Sequence, residues 1–129
     1  MLPNFLVPET VARQNGVGPE VDLGSSSGKE LLLTLGITRI IEQESLDVEI
    51  WGSADKVAWG DKPILKFPQK FYCGTYSMLL NLARHPEVKH LRVAFKLNRW
   101  GRGDVTPLFG FYIFVQESAR AATLQAAVA

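Results

Sequence analysis

One stretch near the middle of the chain limits the fold more than any other. Leu46, Val48 and Ile50 alternate with Asp47 and Glu49. This is the period of a β-strand with one buried and one solvated face. A Gly-Ser-Ala-Asp segment, typical of a turn, ends the strand. The sequence therefore predicts a half-buried strand, and the other strong segments can be interpreted as its partners.

Residues 91–98 alternate in the same way and predict a second half-buried strand. Residues 29–44 also favour a strand, because their β-branched content and Gly36 disfavour a helix. Arg39 would fall on the buried face of a regular strand, so we predict a bulge near Gly36. For residues 75–83, strand and helix remain open, since the apolar positions fit both periods.

The last predicted strand, residues 108–116, is apolar on both faces. One face carries four large apolar residues: Phe109, Phe111, Ile113 and Val115. The other face carries Tyr112 and Phe114. A strand of this kind is normally covered on both sides. We therefore expect either the N-terminal residues or another molecule to lie over Tyr112 and Phe114.

The first 28 residues differ in composition from the rest. Prolines and glycines interrupt them, which argues against a helix or a continuous strand. They are nevertheless too apolar for a solvated tail, with the apolar positions Leu2, Phe5, Leu6, Val7 and Val11. We interpret residues 1–28 as an extended N-terminal arm without regular structure of its own, which covers a sheet of its own domain or of a neighbouring subunit.

These patterns predict an all-β fold. We expect residues 29–117 to form an antiparallel, jelly-roll-like β-sandwich of about eight strands, followed by an alanine-rich tail at residues 118–129. The 129 residues are 47% hydrophobic, which suffices for one domain with a real core.

Charge and cysteine content narrow the expected partners and compartment. The net charge is +1 and the basic residues are spread, so no specific nucleic-acid site is evident. Cys73 is the single cysteine, which excludes an intramolecular disulfide and favours a small buried residue. No stretch has the length of a membrane span, and the N-terminus does not resemble a signal peptide. We expect a cytoplasmic protein, or an assembled particle released by lysis.

Candidate catalytic groups do not converge in the sequence. His85 and His90 flank a Pro-Glu turn, and Asp55, Asp61 and Asp104 lie in predicted loops. We therefore expect no enzyme activity, no metal site and no cofactor. The tripeptide at residues 102–104, Arg-Gly-Asp, matches an integrin-recognition motif, but such residues are also ordinary in a hairpin turn.

Tryptophans offer the one sign of a ligand site. Trp51 falls on the solvated face of its predicted strand, and Trp100 begins a glycine-rich loop. Exposed indoles, together with Tyr112, could stack on sugar rings. The alternative is that Trp59 and Trp100 cap the ends of the core. The hypothesis is a carbohydrate site at Trp51 and Trp100.

The layout of the strands resembles that of known families. The segment LDVEIWGSADKVAW is followed by FPQKFYCGTY, LRVAFKLNRW and PLFGFYIFV. This order resembles the jelly-roll-like domains of phage and virion structural proteins, and less closely the discoidin-like sandwiches that bind carbohydrate or lipid. The resemblance covers about residues 30 to 116 and implies a β-sandwich. It transfers no functional residue.

Two functions follow from these observations as expectations. The first is a structural protein that forms a homo-oligomer, such as a capsid-like shell or a filament. Its contacts would come from the arm and the last strand: Leu2, Phe5, Leu6, Val7, Val11, Tyr112 and Phe114. The alternative is a carbohydrate- or other ligand-binding module that uses exposed tryptophans.

Overall fold

Nine antiparallel β-strands make up the computed structural model, which describes residues 2–100 and 106–118. The strands are β1 (Asn4–Ala12), β2 (Gly16–Val17), β3 (Val21–Asp22), β4 (Glu30–Ile40), β5 (Glu44–Ser53), β6 (Leu65–Lys66), β7 (Gly74–Asn81), β8 (His90–Arg99) and β9 (Phe109–Glu117). Two short 3-10 helices, Gly24–Ser26 and Leu82–Arg84, occur in the connections. No α-helix occurs within the described ranges.

The strands form two sheets that pack face to face. Sheet A has the order β1-β9-β4-β7, and sheet B has the order β2-β8-β5-β6, with β3 also paired to β8. Since β2 and β3 both pair with β8, they act as one interrupted strand. Counted this way, eight strands follow the orders 1-8-3-6 and 2-7-4-5, which is the arrangement of a jelly roll. The all-β, antiparallel sandwich expected from the sequence is confirmed.

The core lies between the two sheets and is built from alternate residues of the long strands. Its fully buried side chains include Leu31, Leu33 and Leu35 of β4, Leu46 and Ile50 of β5, Leu91 and Val93 of β8, and Phe109, Phe111, Ile113 and Val115 of β9. Each such side chain contributes about 1.5–3 kcal/mol by leaving water. The alternation read from the sequence thus marks the inner faces of both sheets.

The N-terminal segment corrects one expectation. The supposed arm has regular structure, since residues 4–12 form β1, an edge strand that pairs with β9 of the same chain. Leu6 and Val7 are 0% and 4% exposed and belong to the protein's own core. The physical reason is backbone pairing. Without β1, the amides and carbonyls along one edge of β9 would have no hydrogen-bond partners. Pro8 falls within a register shift between Val7 and Thr10, where its missing N–H is tolerated.

The bulge in β4 lies close to the predicted place. The register shift falls between Ile37 and Arg39, whereas Gly36 pairs regularly with Tyr112. A Cβ at position 36 would overlap the Tyr112 ring. Gly36 is therefore required because the Tyr112 ring lies against it. The bulge that moves Arg39 off the buried face occurs two residues later. Residues 75–83, left open by the sequence, are mostly strand, as β7 runs to Asn81.

A buried carboxylate holds the hairpin between β4 and β5 against the start of β9. Glu44 is 2% exposed. One of its carboxylate oxygens accepts a hydrogen bond from the Ile41 amide at 2.9 Å, and the other accepts one from the Leu108 amide at 2.8 Å. Buried charged groups persist where hydrogen bonds satisfy them. Glu44 therefore links two segments that lie 64 residues apart in sequence.

We predict that Glu44→Ala lowers the free energy of unfolding by about 2–5 kcal/mol, because two backbone amides lose their acceptor. Glu44→Gln keeps one acceptor oxygen and should lose roughly half as much. Urea unfolding of each variant measures the change. Glu42→Ala, at an exposed position in the same hairpin, is the control. A loss below about 0.5 kcal/mol for Glu44→Ala would contradict the assigned role.

Candidate binding surfaces

The outer face of sheet A carries a cluster of aromatic rings. Tyr112 and Phe114 alternate with the buried residues of β9 and therefore point away from the core. Phe5 of β1 pairs with Phe114, and its ring centroid lies 5.0 Å from that of Phe114 and 6.1 Å from that of Tyr112, both edge-on. Phe5 is 43% exposed. Phe5 therefore packs against both Tyr112 and Phe114, and all three side chains keep part of their surface exposed.

This cluster continues across the sheet without formal charge. On β4 and β7, Leu32 pairs with Leu79, which is 48% exposed. The other outward positions between them are small or polar: Thr34, Gly36, Thr75, Ser77 and Gln116. We call Phe5, Leu32, Leu79, Tyr112 and Phe114 the sheet A patch. Glu9 lies at its margin, where it lines a shallow depression with Phe5 and Thr34.

The structure divides the predicted partner-binding residues into two groups. Phe5, Tyr112 and Phe114 come together in the sheet A patch. Val11 is exposed and lies near the margin of the same face. Leu2 is partly buried against the core. Leu6 and Val7 point into the core, which differs from the partner-binding role that the sequence analysis gave them.

The outer face of sheet B carries a different surface. Trp51 of β5 pairs with Arg92 of β8, and the Arg92 guanidinium carbon lies 4.3 Å from the centre of the Trp59 ring. An open groove forms here, whose lining we call the sheet B groove: Val17, Glu49, Trp51, Trp59, Gly60, Arg92, Ala94 and Lys96. Two indoles and a guanidinium thus share one concave surface.

The loop after β5 holds Trp59 over this groove. Asp55 accepts hydrogen bonds from the amides of Val57 and Ala58 at 2.9 and 3.0 Å, and from the Ser53 hydroxyl at 3.1 Å. The Ala58 amide is the largest of the causes that hold the pKa of Asp55 below its ordinary value of 3.8. The Trp59 indole N–H donates to the Lys56 carbonyl at 3.2 Å. The carboxylate of Asp55 therefore organises the turn that carries Trp59.

We predict that Asp55→Ala frees the Trp59 ring from Arg92 and shifts the tryptophan fluorescence, with little change in global unfolding. Acid should act in the same way. Because the folded pKa is depressed, the turn is fully stabilised above pH 3.8 and loses that support as the pH falls through the lower folded value. A fluorescence titration from pH 6 to 2 measures this. Equal acid responses of wild type and Asp55→Ala would contradict it.

Trp100 does not join Trp51. It follows the far end of β8, eight residues or about 26 Å from Arg92, and its ring packs edge-on against Phe71 with centroids 6.1 Å apart. The predicted pair is therefore two separate places. Trp59 and Arg92 were not predicted as partners of Trp51, since Trp59 was considered only as an alternative cap of the core and Arg92 was not singled out. The register of β5 against β8 was the missing information.

Shifted pKa values occur at two turns among the described residues. Asp22 and Asp55 are the two described groups with a shifted pKa, and in each the main cause is a backbone amide at a turn, which lowers the pKa. Cys73 is exposed rather than buried, because it lies in the connection before β7. Residues 2–100 and 106–118 hold no group of three or more potential metal ligands. The Arg-Gly-Asp segment at residues 102–104 lies outside the described residues.

Across the described part of the chain, no helix is both long enough and apolar enough to cross a membrane.

Comparison with known proteins gives matches at the level of structure. No family model and no curated protein sequence matches the chain. The crystal structure of the SPBc2 prophage-derived protein YomS is similar, with 10% sequence identity, a TM-score of 0.47, and coverage of 90% of this chain and 96% of the other. The K3 cleaved adhesin domain of Lys-gingipain from Porphyromonas gingivalis matches with 15% identity, a TM-score of 0.43, and coverage of 78% and 62%. The K1 domain of that protein matches with 13% identity, a TM-score of 0.39, and coverage of 86% and 62%.

Proposed function

We propose that this chain is a non-catalytic β-sandwich module that self-associates through the sheet A patch. The observation that carries the proposal is the uncharged aromatic and aliphatic surface on the outer face of β9 and its neighbours. Phe5 and Leu79 are nearly half exposed there, and Tyr112 and Phe114 are only partly covered. Exposed apolar clusters of this kind mark interaction surfaces.

The size of the face fits a dimer. Four strands about 4.8 Å apart and about eight residues long present a face of roughly 19 by 26 Å, or about 500 Å². Two such faces would bury about 1,000 Å² together, near the lower limit for a specific interface. The five patch residues carry no formal charge, so two copies meet there without repulsion as long as Glu9, which lines the same depression, stays at the edge of the contact. A two-fold contact between identical faces therefore fits this surface.

A larger shell or filament, as the sequence suggested, needs a second contact. Sheet A ends in β1 and β7, and within the described part of the chain each presents one side without a strand partner. Edges of this kind pair with strands of other molecules. The proposal is therefore a face-to-face dimer as the basic unit, with strand edges as the surface for any further growth.

We predict that Leu79→Lys raises the dissociation constant of the dimer at least tenfold, because it places a charge within the apolar contact. Sedimentation velocity over a wide concentration range measures the constant. Leu79 is exposed on an edge strand, so the fold should persist.

Val57→Lys is the matched control for this experiment. Val57 is 83% exposed and lies in the loop after β5, away from sheet A. The substitution introduces the same charge in place of an exposed aliphatic side chain. Dissociation constants within twofold of wild type are expected for this variant. Equal weakening by both variants, or a wild-type protein that stays monomeric throughout, would contradict the proposal.

A second function is favoured by the sheet B groove. Trp51, Trp59 and Arg92 meet there on one concave surface, and aromatic walls with a few polar groups are typical of ligand sites. We propose a ligand-binding role for this groove, with carbohydrate as the ligand class. Its two tryptophans differ from the pair expected from the sequence, because Trp59 takes the place of Trp100.

A further inference from the structure

Two hydrogen-bond donors in the sheet B groove have no acceptor among the residues that the structure describes. The Nε1 atom of Trp51 and the Nε atom of Arg92 are buried and lack any hydrogen-bond partner within the described residues. Buried donors in folded proteins are nearly always paired. These two belong to residues that are direct neighbours across β5 and β8. A single acceptor group placed between the strands could therefore serve both.

The charges of the groove indicate which acceptor fits. Arg92 and Lys96 contribute two positive charges and Glu49 contributes one negative charge. Among the described residues, none of the three forms an ion pair within 4.0 Å. Asp47 lies opposite Lys96 across β5 and β8, whereas the residue opposite Arg92 is Trp51. Arg92 is therefore the cation of the groove that has no carboxylate directly opposite it among the described residues. A guanidinium binds a carboxylate through two parallel N–H···O bonds, so a planar carboxylate is the acceptor that Arg92 fits best.

The aromatic residues indicate which kind of molecule the bound carboxylate belongs to. Trp51 and Trp59 provide two flat apolar surfaces beside the guanidinium. An indole face packs well against the C–H face of a sugar ring, while polar groups around it bind the hydroxyls. A small free carboxylate would leave the aromatic surfaces unused, and an open groove of this kind would leave most of a fatty-acid chain in water.

We propose that the sheet B groove binds uronic acid units of an acidic polysaccharide, with the sugar carboxylate on Arg92 and the sugar ring against the tryptophans. This inference rests on the ligand-binding role proposed above and specifies its ligand. Lys96, four residues from Arg92 along β8 on the same face, extends the positive surface toward the carboxylate of a neighbouring unit.

Access to the two donors depends on Trp59. Neither donor atom touches solvent, and the Trp59 ring lies directly over the guanidinium. Most of the loop that carries Trp59 is exposed, so the ring can move outward without disturbing the core. Binding therefore shifts the Trp59 ring, and tryptophan fluorescence reports the event.

Calorimetric titration of the full chain with uronic acid tetramers tests this inference. The probes are tetramers of galacturonic, mannuronic and guluronic acid, each beside the same tetramer with its carboxylates reduced to hydroxymethyl groups. At least one acidic tetramer should bind with a dissociation constant below about 1 mM, and its reduced form should bind at least tenfold more weakly.

Variants locate the site. Arg92→Gln should weaken binding of the acidic tetramer about ten- to a hundredfold, since it removes charge-assisted hydrogen bonds. Arg84→Gln removes the same charge from an exposed position in the loop before β8 and should leave binding unchanged. Trp59→Leu should weaken binding and remove the fluorescence change. Circular dichroism of each variant confirms that it is folded.

The outcomes separate the two levels of the proposal. Equal binding of acidic and reduced tetramers, with loss in Trp59→Leu, would overturn the uronate inference and leave the ligand-binding role in place. Failure of every acidic and reduced tetramer to bind would overturn the inference and remove the support for carbohydrate. Equal weakening by Arg92→Gln and Arg84→Gln would also overturn it, because a general charge effect would then explain the binding.

Discussion

The structure depends on the last strand, β9, which is apolar on both faces and paired on both sides. Its inner residues fill the core, while its edges pair with β1 and β4. The pairing with β1 joins the two ends of the described chain and orders residues 4–12. Among the described residues the outer face of β9 is covered only in part, by Phe5 of β1 and by the packing of the Tyr112 ring against Gly36. The surplus apolar face is what distinguishes sheet A from sheet B and what the proposed self-association uses.

Much of the fold could be predicted because the alternation of apolar and polar residues within each long strand identifies it as a strand. The alternation in β5, β8 and β9 is visible within ten residues, and it places the inner faces correctly. The position of β1 could not be predicted in this way, because its regular structure comes from a partner strand about 100 residues away in sequence. Gly36 shows the same limit. Its presence looked like a sign of a bulge, but its cause is the ring of Tyr112 on the neighbouring strand.

Candidate site residues that lie on one strand could be predicted from the sequence. Sites formed by residues of two strands or of a strand and a loop could not. Tyr112 and Phe114 stood out because the alternation of β9 leaves them outside the core. Only part of the sheet B groove could be predicted from the sequence. Trp51 lies on the predicted solvated face, but strand register places Arg92 beside it and a loop held by Asp55 places Trp59 there. Trp100 was assigned to the same site because sequence gives no distance between loops. The two outer faces thus carry different chemistry, uncharged and aromatic on sheet A, aromatic and cationic on sheet B.

Hydroxyl-radical footprinting of the unmodified chain across a range of concentrations tests the central claim most directly, because it reports the exposure of individual side chains. Phe5, Tyr112 and Phe114 should become protected as the concentration rises, since association buries the sheet A patch. Tyr72, which is 72% exposed in a loop beyond that face, should react equally at every concentration and serves as an internal reference. Oxidation of the three patch residues that does not change with concentration, or that falls in parallel with Tyr72, would contradict the account.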